Sequence, residues 1–220
     1  NTRSRGLGDV YKRQEHYSII FHLGMSGRIQ VNDKKNKHTR ARFYFDKDTV
    51  NFDDIRRFGF INIIKAELKI DYLNKIGPDV LEISTKQSRI IIDKSKKSKS
   101  LIKDFILNQK YMSGVGNIYA NEILFASRIH PETKVNALSS NNWEDFFNNT
   151  KKIMRLAIKN NGTTLSDMTY FLPYGEFGSN QNFLKIYSKT NCFNCEHIID
   201  KIYINQRATY FCRKCQKLKN

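Results

Sequence analysis

No apolar run in this sequence approaches the roughly 20 residues that a membrane-spanning helix needs. A long basic amphipathic helix of the kind that lies on a bilayer is missing too, which disfavours a membrane surface as partner. Cysteine is absent from the first 191 residues, and all four fall in the last 29. With no secretory signal before them and no dense cysteine usage, a disulfide-built secreted domain is disfavoured and a reducing cytoplasm is expected. Acidic residues are scarce: 21 Asp+Glu face 38 Lys+Arg, a formal net charge of +17. A folded chain this basic repels itself unless a polyanion is its partner, so nucleic acid is the leading candidate. A lysine-rich composition inherited from an AT-rich genome is the competing source of that charge.

The 220 residues, 40% hydrophobic, suffice for at least one sizeable core, as one large domain or two smaller ones. The opening NTRSRGLGDVYKRQ lacks any apolar period of 2 or 3.6. Residues 1–14 therefore read as a disordered basic arm or as a foreign leader joined to a truncated reading frame, and the second is favoured. From His16 to about Ile64 come short β-prone runs, HYSIIFHLGM, RIQV, ARFYFD, TVNFDD and FGFINII, separated by Gly or Asn/Asp/Lys turns, which predicts an antiparallel β region. Helical spacing begins after about Leu73 and continues through KSKKSKSLIKDFILNQKYM, GVGNIYANEILFASRIHP and SSNNWEDFFNNTKKIMRLAIKNN, with Gly and Pro as punctuation. An aromatic loop, YFLPYGEFGSNQNF, and a short strand over LKIYSK follow.

CFNC and CRKC, separated by 16 residues, form the last module. Two Cys-x-x-Cys turns each set a pair of thiolates at metal-ligand spacing, so Cys192, Cys195, Cys212 and Cys215 are expected to close a tetrahedral site around one structural Zn2+. The apolar/polar alternation of HIIDKIYINQRATYF predicts a β-hairpin between the knuckles. Arg207, at the hairpin turn, suits a bidentate phosphate contact. A solvated arginine without a partner is the equal alternative.

Four segments in order, HLGMSGR at 22–28, DDIRRFG at 53–59, GVGNIYANEILFASRIHP at 114–131 and QRATYFCRKCQK at 206–217, together resemble formamidopyrimidine-DNA glycosylase, the bacterial enzyme family that removes oxidised purines. The resemblance covers roughly His16 to Lys217. It implies an α+β chain: a partial N-terminal β-sandwich over 15–72, a helix-two-turn-helix domain over 73–187 and a zinc ribbon over 188–217. It also implies a cytoplasmic, nucleoid-associated monomer acting in base-excision repair on double-stranded DNA with oxidised bases or abasic sites, by base removal and AP-lyase β,δ-elimination.

An enzyme that works on a base takes it out of the stack and must fill the hole. By motif match the residues for this are Met25, a flexible plug, Arg56, a donor to the orphaned base's edge, and Phe58, a wedge between base pairs. Without the motif context Met25 and Phe58 read as core residues. Asn117 and the helix start behind GVG match a phosphate site. Arg207 matches the family's zinc-ribbon arginine, assigned to phosphate contact and to proton donation in the second elimination, and His22, His38 and Lys99 match further DNA-contacting positions. The family's N-terminal proline nucleophile, the glutamate after it and an upstream lysine have no match, since the chain opens with Asn1 and Thr2. The expectation is a glycosylase family member, with these 220 residues binding DNA without cleaving it. The rivals are a DNA-binding protein without catalysis and an endonuclease VIII-like glycosylase for oxidised pyrimidines.

Overall fold

The computed structural model describes residues 2–4 and 9–13 as backbone, and residues 16–24, 26–165, 170 and 172–218 in greater detail. The chain groups into two compact units, residues 1–75 with 157–182 and residues 76–156 with 183–220.

The first unit carries β1 (Thr2–Ser4), β2 (Asp9–Arg13), β3 (Tyr17–His22), β4 (Gly27–Val31), β5 (Thr39–Tyr44), β6 (Thr49–Asp54) and β7 (Phe60–Lys65), followed by the short helix α1 (Lys69–Asn74). Antiparallel pairing orders them as β1-β2-β3-β7 and β4-β6-β5. Both β1 and β2 fall inside the segment read from sequence as a leader. The two sheets meet through aromatic side chains of alternating strand positions: the Phe21 ring lies 5.4 Å from Phe43 and 6.0 Å from Phe52. As the central strand of its sheet, β6 buries Asn51, Phe52, Asp53 and Asp54 in succession. Its carboxylates are matched by partners, as burial demands: Asp53 accepts from Asn36 Nδ2 at 2.6 Å and Thr39 Oγ1 at 2.7 Å. The edge of β4 is covered by the aromatic loop, because Val31 N donates to the Pro173 carbonyl at 2.8 Å and Gln30 Nε2 to that of Leu172 at 3.0 Å.

In the second unit α2 (Thr85–Lys96) starts at a capping box formed by Ser84 and Gln87. Its end falls inside the lysine run, where Lys94 and Lys96 suit the negative pole of the helix. α3 (Ile102–Leu107), α4 (Asn117–Ala126) and α5 (Ser140–Lys159, in this unit up to Leu156) complete the helices. Their helical spacing brings Ile102, Phe105, Ile106, Ile123, Trp143 and Phe146 into one core. The expected hairpin is present as β8 (Asp200–Ile204) and β9 (Arg207–Phe211). Its two turn residues, Asn205 and Gln206, both have positive φ, 44° and 62°, the sense that matches the twist of paired strands.

The strand predicted over LKIYSK does not form. Glu122 of α4, buried, points its carboxylate at this segment and accepts from the N–H groups of Lys185 (2.9 Å), Ile186 (3.0 Å) and Tyr187 (2.8 Å). A side chain thus takes the donors that a neighbouring strand would have taken.

Candidate nucleic-acid interface

Two motifs about thirty residues apart in sequence meet around Asp54. Its buried carboxylate accepts from Ser26 Oγ at 2.6 Å, Gly59 N at 2.7 Å and Arg56 N at 3.2 Å. Ser26 Oγ also accepts from Arg56 N at 3.0 Å. Gly24, at φ +60°, lies so close to the 58–59 backbone that a Cβ there would stand 3.0 Å from the Phe58 carbonyl carbon. The loop so held presents Arg56 with its guanidinium 4.9 Å from the Phe58 ring centre, and Phe58 itself is 57% exposed. An exposed aromatic fixed under an arginine is a poor core residue and a serviceable wedge. His38 joins the cluster through its carbonyl, which accepts from Asp54 N at 3.0 Å, while the His22 ring stacks on Phe60 at 4.9 Å. Met25 lies outside the described residues.

Burial alone would raise the Asp54 carboxyl, but hydrogen bonds from Ser26 and from the N–H groups of Gly59, Arg56 and Arg57 outweigh it and hold the pKa below the usual carboxylate value. A depressed folded pKa adds stability that is present above the ordinary value and is lost as pH falls through the folded one. Asp54→Asn is therefore expected to cost about 1–3 kcal/mol at pH 7, with the gap to the parent narrowing as pH drops below about 4. Urea unfolding at both pH values measures it, and an unchanging gap would refute the assignment.

In the second unit GVGN and QRAT meet in the same way. Asn117 Nδ2 donates to the Ala208 carbonyl at 3.1 Å, so the side chain matched to a phosphate contact tethers the residue after Arg207. Buried Lys103 donates from Nζ to the Ala208 carbonyl at 3.0 Å and to Thr209 Oγ1 at 2.6 Å. Burial, and then the Arg207 charge, push its pKa down to about 8. Arg207 itself is exposed, directly after the turn. Two cations sharing one corner favour an anion beside them. α4 has Gly116 at its N-cap and no side-chain cap there, so the positive end of its dipole suits such an anion. Lys99, exposed between α2 and α3, stands in the connection rather than in this cluster.

The four cysteines converge. Their sulfurs lie within 4.8 Å of one another, with Cys192–Cys215 at 3.8 Å, Cys195–Cys212 at 3.6 Å and Cys195–Cys215 at 3.5 Å. A tetrahedral ion about 2.3 Å from each thiolate separates its sulfurs by about 3.8 Å, so the cluster fits a four-coordinate metal. Burial pushes the Cys215 thiol up to about 12, whereas a backbone hydrogen bond from His197 brings Cys195 down to about 7. So crowded a set becomes four thiolates only around a cation.

Sequence reasoning missed Asp54, Lys103, Asn121 and Glu122, which position the others. The available signal was charge or amide at positions the helical period assigns to the core, as with Lys103 between Ile102 and Phe105.

Residues 4–61 match the family model for the formamidopyrimidine-DNA glycosylase N-terminal domain, and residues 76–169 match that for its H2TH domain. The chain is 38% identical over 207 residues to the formamidopyrimidine-DNA glycosylase of Mycoplasma genitalium, covering 91% of this chain and 72% of the relative. To that of Listeria monocytogenes it is 37% identical over 211 residues, covering 91% and 75%. Among solved structures it is similar to Lactococcus lactis Fpg in complex with abasic-site DNA, with a TM-score of 0.87, 28% identity, and coverage of 99% of this chain and 81% of that one. The same protein bound to Fapy-dG DNA gives the same values. With both domain models matched and relatives covered over more than two thirds of their length, this chain belongs to the formamidopyrimidine-DNA glycosylase family.

Proposed function

We propose that this protein acts in bacterial base-excision repair, removing oxidised purines such as 8-oxoguanine and formamidopyrimidines from duplex DNA, with AP-lyase β,δ-elimination at the resulting abasic site. The observation that carries the reading is the pairwise assembly of the four motifs, 22–28 with 53–59 around Asp54 and 114–117 with 206–209 through Asn117 and Ala208. Relatives bound to abasic and Fapy-dG DNA support the substrate class.

In this reading Arg56 and Phe58, with Met25, occupy the gap left by an everted base, Arg donating to the widowed base and Phe wedging the step. Arg207 clamps the phosphate beside it and donates a proton late in elimination, and Asn117 with Lys103 fixes the strand from which Arg207 projects. His22, His38 and Lys99 serve as further backbone contacts. The ion held by Cys192, Cys195, Cys212 and Cys215 is a single structural Zn2+, whose closed thiolate shell leaves no position for water. In this reading the domains are a partial β-sandwich over 15–72, onto which β1 and β2 pair and with which residues 157–182 group, a helix-two-turn-helix region over 73–187 and the ribbon over 188–217, working in the bacterial cytoplasm.

Titration of a labelled duplex carrying a tetrahydrofuran abasic analogue tests the reading. The abasic duplex is expected to bind more tightly than the intact one, and both more weakly as salt rises. Arg207→Ala is expected to weaken both duplexes uniformly, by about tenfold, and to lower the salt slope by about 1. Equal affinity of the parent protein for intact and abasic duplex would overturn lesion recognition.

A further inference from the structure

The β8–β9 hairpin has two unlike faces. On one, Ile202, Ile204, Thr209 and Phe211 are buried or half-buried. The opposite face carries Lys201, Tyr203 and Tyr210, and continues onto the 185–187 segment and the first knuckle. Here rings and cations follow one another: the Lys185 amine is 4.5 Å from the centre of the Phe193 ring, Tyr187 meets Tyr210 edge-on at 5.0 Å, and the Lys201 amine lies 5.7 Å from Tyr210 and 5.5 Å from Tyr203. Phe193 and Tyr203 are each 67% exposed. Large exposed rings cost stability unless something covers them, and these are interleaved with lysines rather than clustered as an oily patch.

The track is also anchored. Consecutive buried residues of α4 hold both of its segments: Asn121 Oδ1 accepts from Tyr210 N at 2.7 Å, and Glu122 accepts from the N–H groups of Lys185, Ile186 and Tyr187. A fixed row of rings with cations between them is the chemistry that takes up unpaired nucleotides, bases stacking on the rings and phosphates pairing with the amines.

We propose that this outward face of the hairpin, from Phe193 through Lys185, Tyr187, Tyr210 and Lys201 to Tyr203, is a second nucleic-acid site that binds single-stranded DNA by stacking. By strand alternation it lies on the face of the hairpin opposite the Arg207 side chain, and it does not depend on lesion recognition.

The test uses the whole chain and fluorescein-labelled dT12, read by anisotropy. The parent protein is expected to bind dT12 at least tenfold more tightly than a 12-mer of tetrahydrofuran abasic residues, which keeps the phosphates and lacks the bases. Tyr203→Ala is expected to weaken dT12 binding about tenfold, within the range that one stacked base is worth. Tyr203→Phe should restore it, and binding of the abasic duplex should stay within about twofold of the parent in both variants, as expected for an exposed side chain on the face opposite Arg207. Equal affinity of the parent for dT12 and the abasic 12-mer would show attraction by charge alone and overturn the proposal. So would unchanged dT12 binding in Tyr203→Ala, or equal losses on dT12 and duplex.

Discussion

Replacing Cys212 with Ser is expected to release the metal and unravel the β8–β9 hairpin while α2 to α5 stay folded. The apolar cluster around the knuckles consists of Phe125, Ile186, Cys192, Ile199 and Cys212, so two of its five buried members belong to the cysteine set that fits a metal. So small a core does not hold a hairpin without a staple. Cys212 is fully buried, and its N–H donates at 3.0 Å to Gln216 Oε1, whose amide donates in turn to the Ile129 carbonyl at 2.8 Å. Losing the ion therefore loosens the tie between the hairpin and the end of α4. Structural zinc in thiolate peptides binds with about 10–16 kcal/mol, as much as the whole margin of a typical domain. Atomic absorption should read about one zinc per chain in the parent and close to none in the variant, with near-complete loss of duplex binding and most of the far-ultraviolet helical signal retained. Chelation of the parent should reproduce both losses. A variant that keeps its metal and its hairpin would remove the basis for a four-thiolate site.

Glu122→Ala is the second large effect, and it substitutes neither a cysteine nor a residue matched to a DNA contact. Three consecutive N–H groups, of Lys185, Ile186 and Tyr187, end on this one carboxylate. A buried donor left without an acceptor costs about 1–3 kcal/mol, and accepting charge makes each bond stronger than its neutral counterpart. The variant is expected to lose about 3–5 kcal/mol in denaturant unfolding, at the upper end for a single substitution. Glu122→Gln keeps one acceptor oxygen and should lose about half as much. Amide exchange at 185–187 should speed up in the same order. A loss under about 1 kcal/mol in Glu122→Ala would mean that water serves those amides as well as the carboxylate does.

The sequence made the strands, the long helices and the cysteine knuckles readable because each depends on local pattern: short β-prone runs over residues 17–22 and 49–54, helical spacing over 140–159, and Cys-x-x-Cys spacing. It also made four motifs readable, though not how they pair. What it hid was side-chain rescue of backbone. LKIYSK looks like a strand by composition, and only the distant Glu122 determines otherwise. Asn117 stands in a phosphate-binding motif yet spends its amide on Ala208, a contact across 91 residues of sequence that no local pattern encodes. The grouping of residues 157–182 with the N-terminal unit was hidden for the same reason, since its stem is fixed by a carbonyl partnership with Val31.

That grouping sets the order in which the protein can be made. The first unit needs residues 157–182 and the second needs 183–220, so each is interrupted by part of the other along the chain. During synthesis at about 5–20 residues per second, the early sheets wait several seconds with the β4 edge uncovered, until the stem at 172–173 emerges. Translation speed across residues 76–156, a segment with no residue in the first unit, therefore sets how long a sticky strand is on display. Slow codons there should favour aggregation of the nascent chain, whereas slow codons after residue 182 should not.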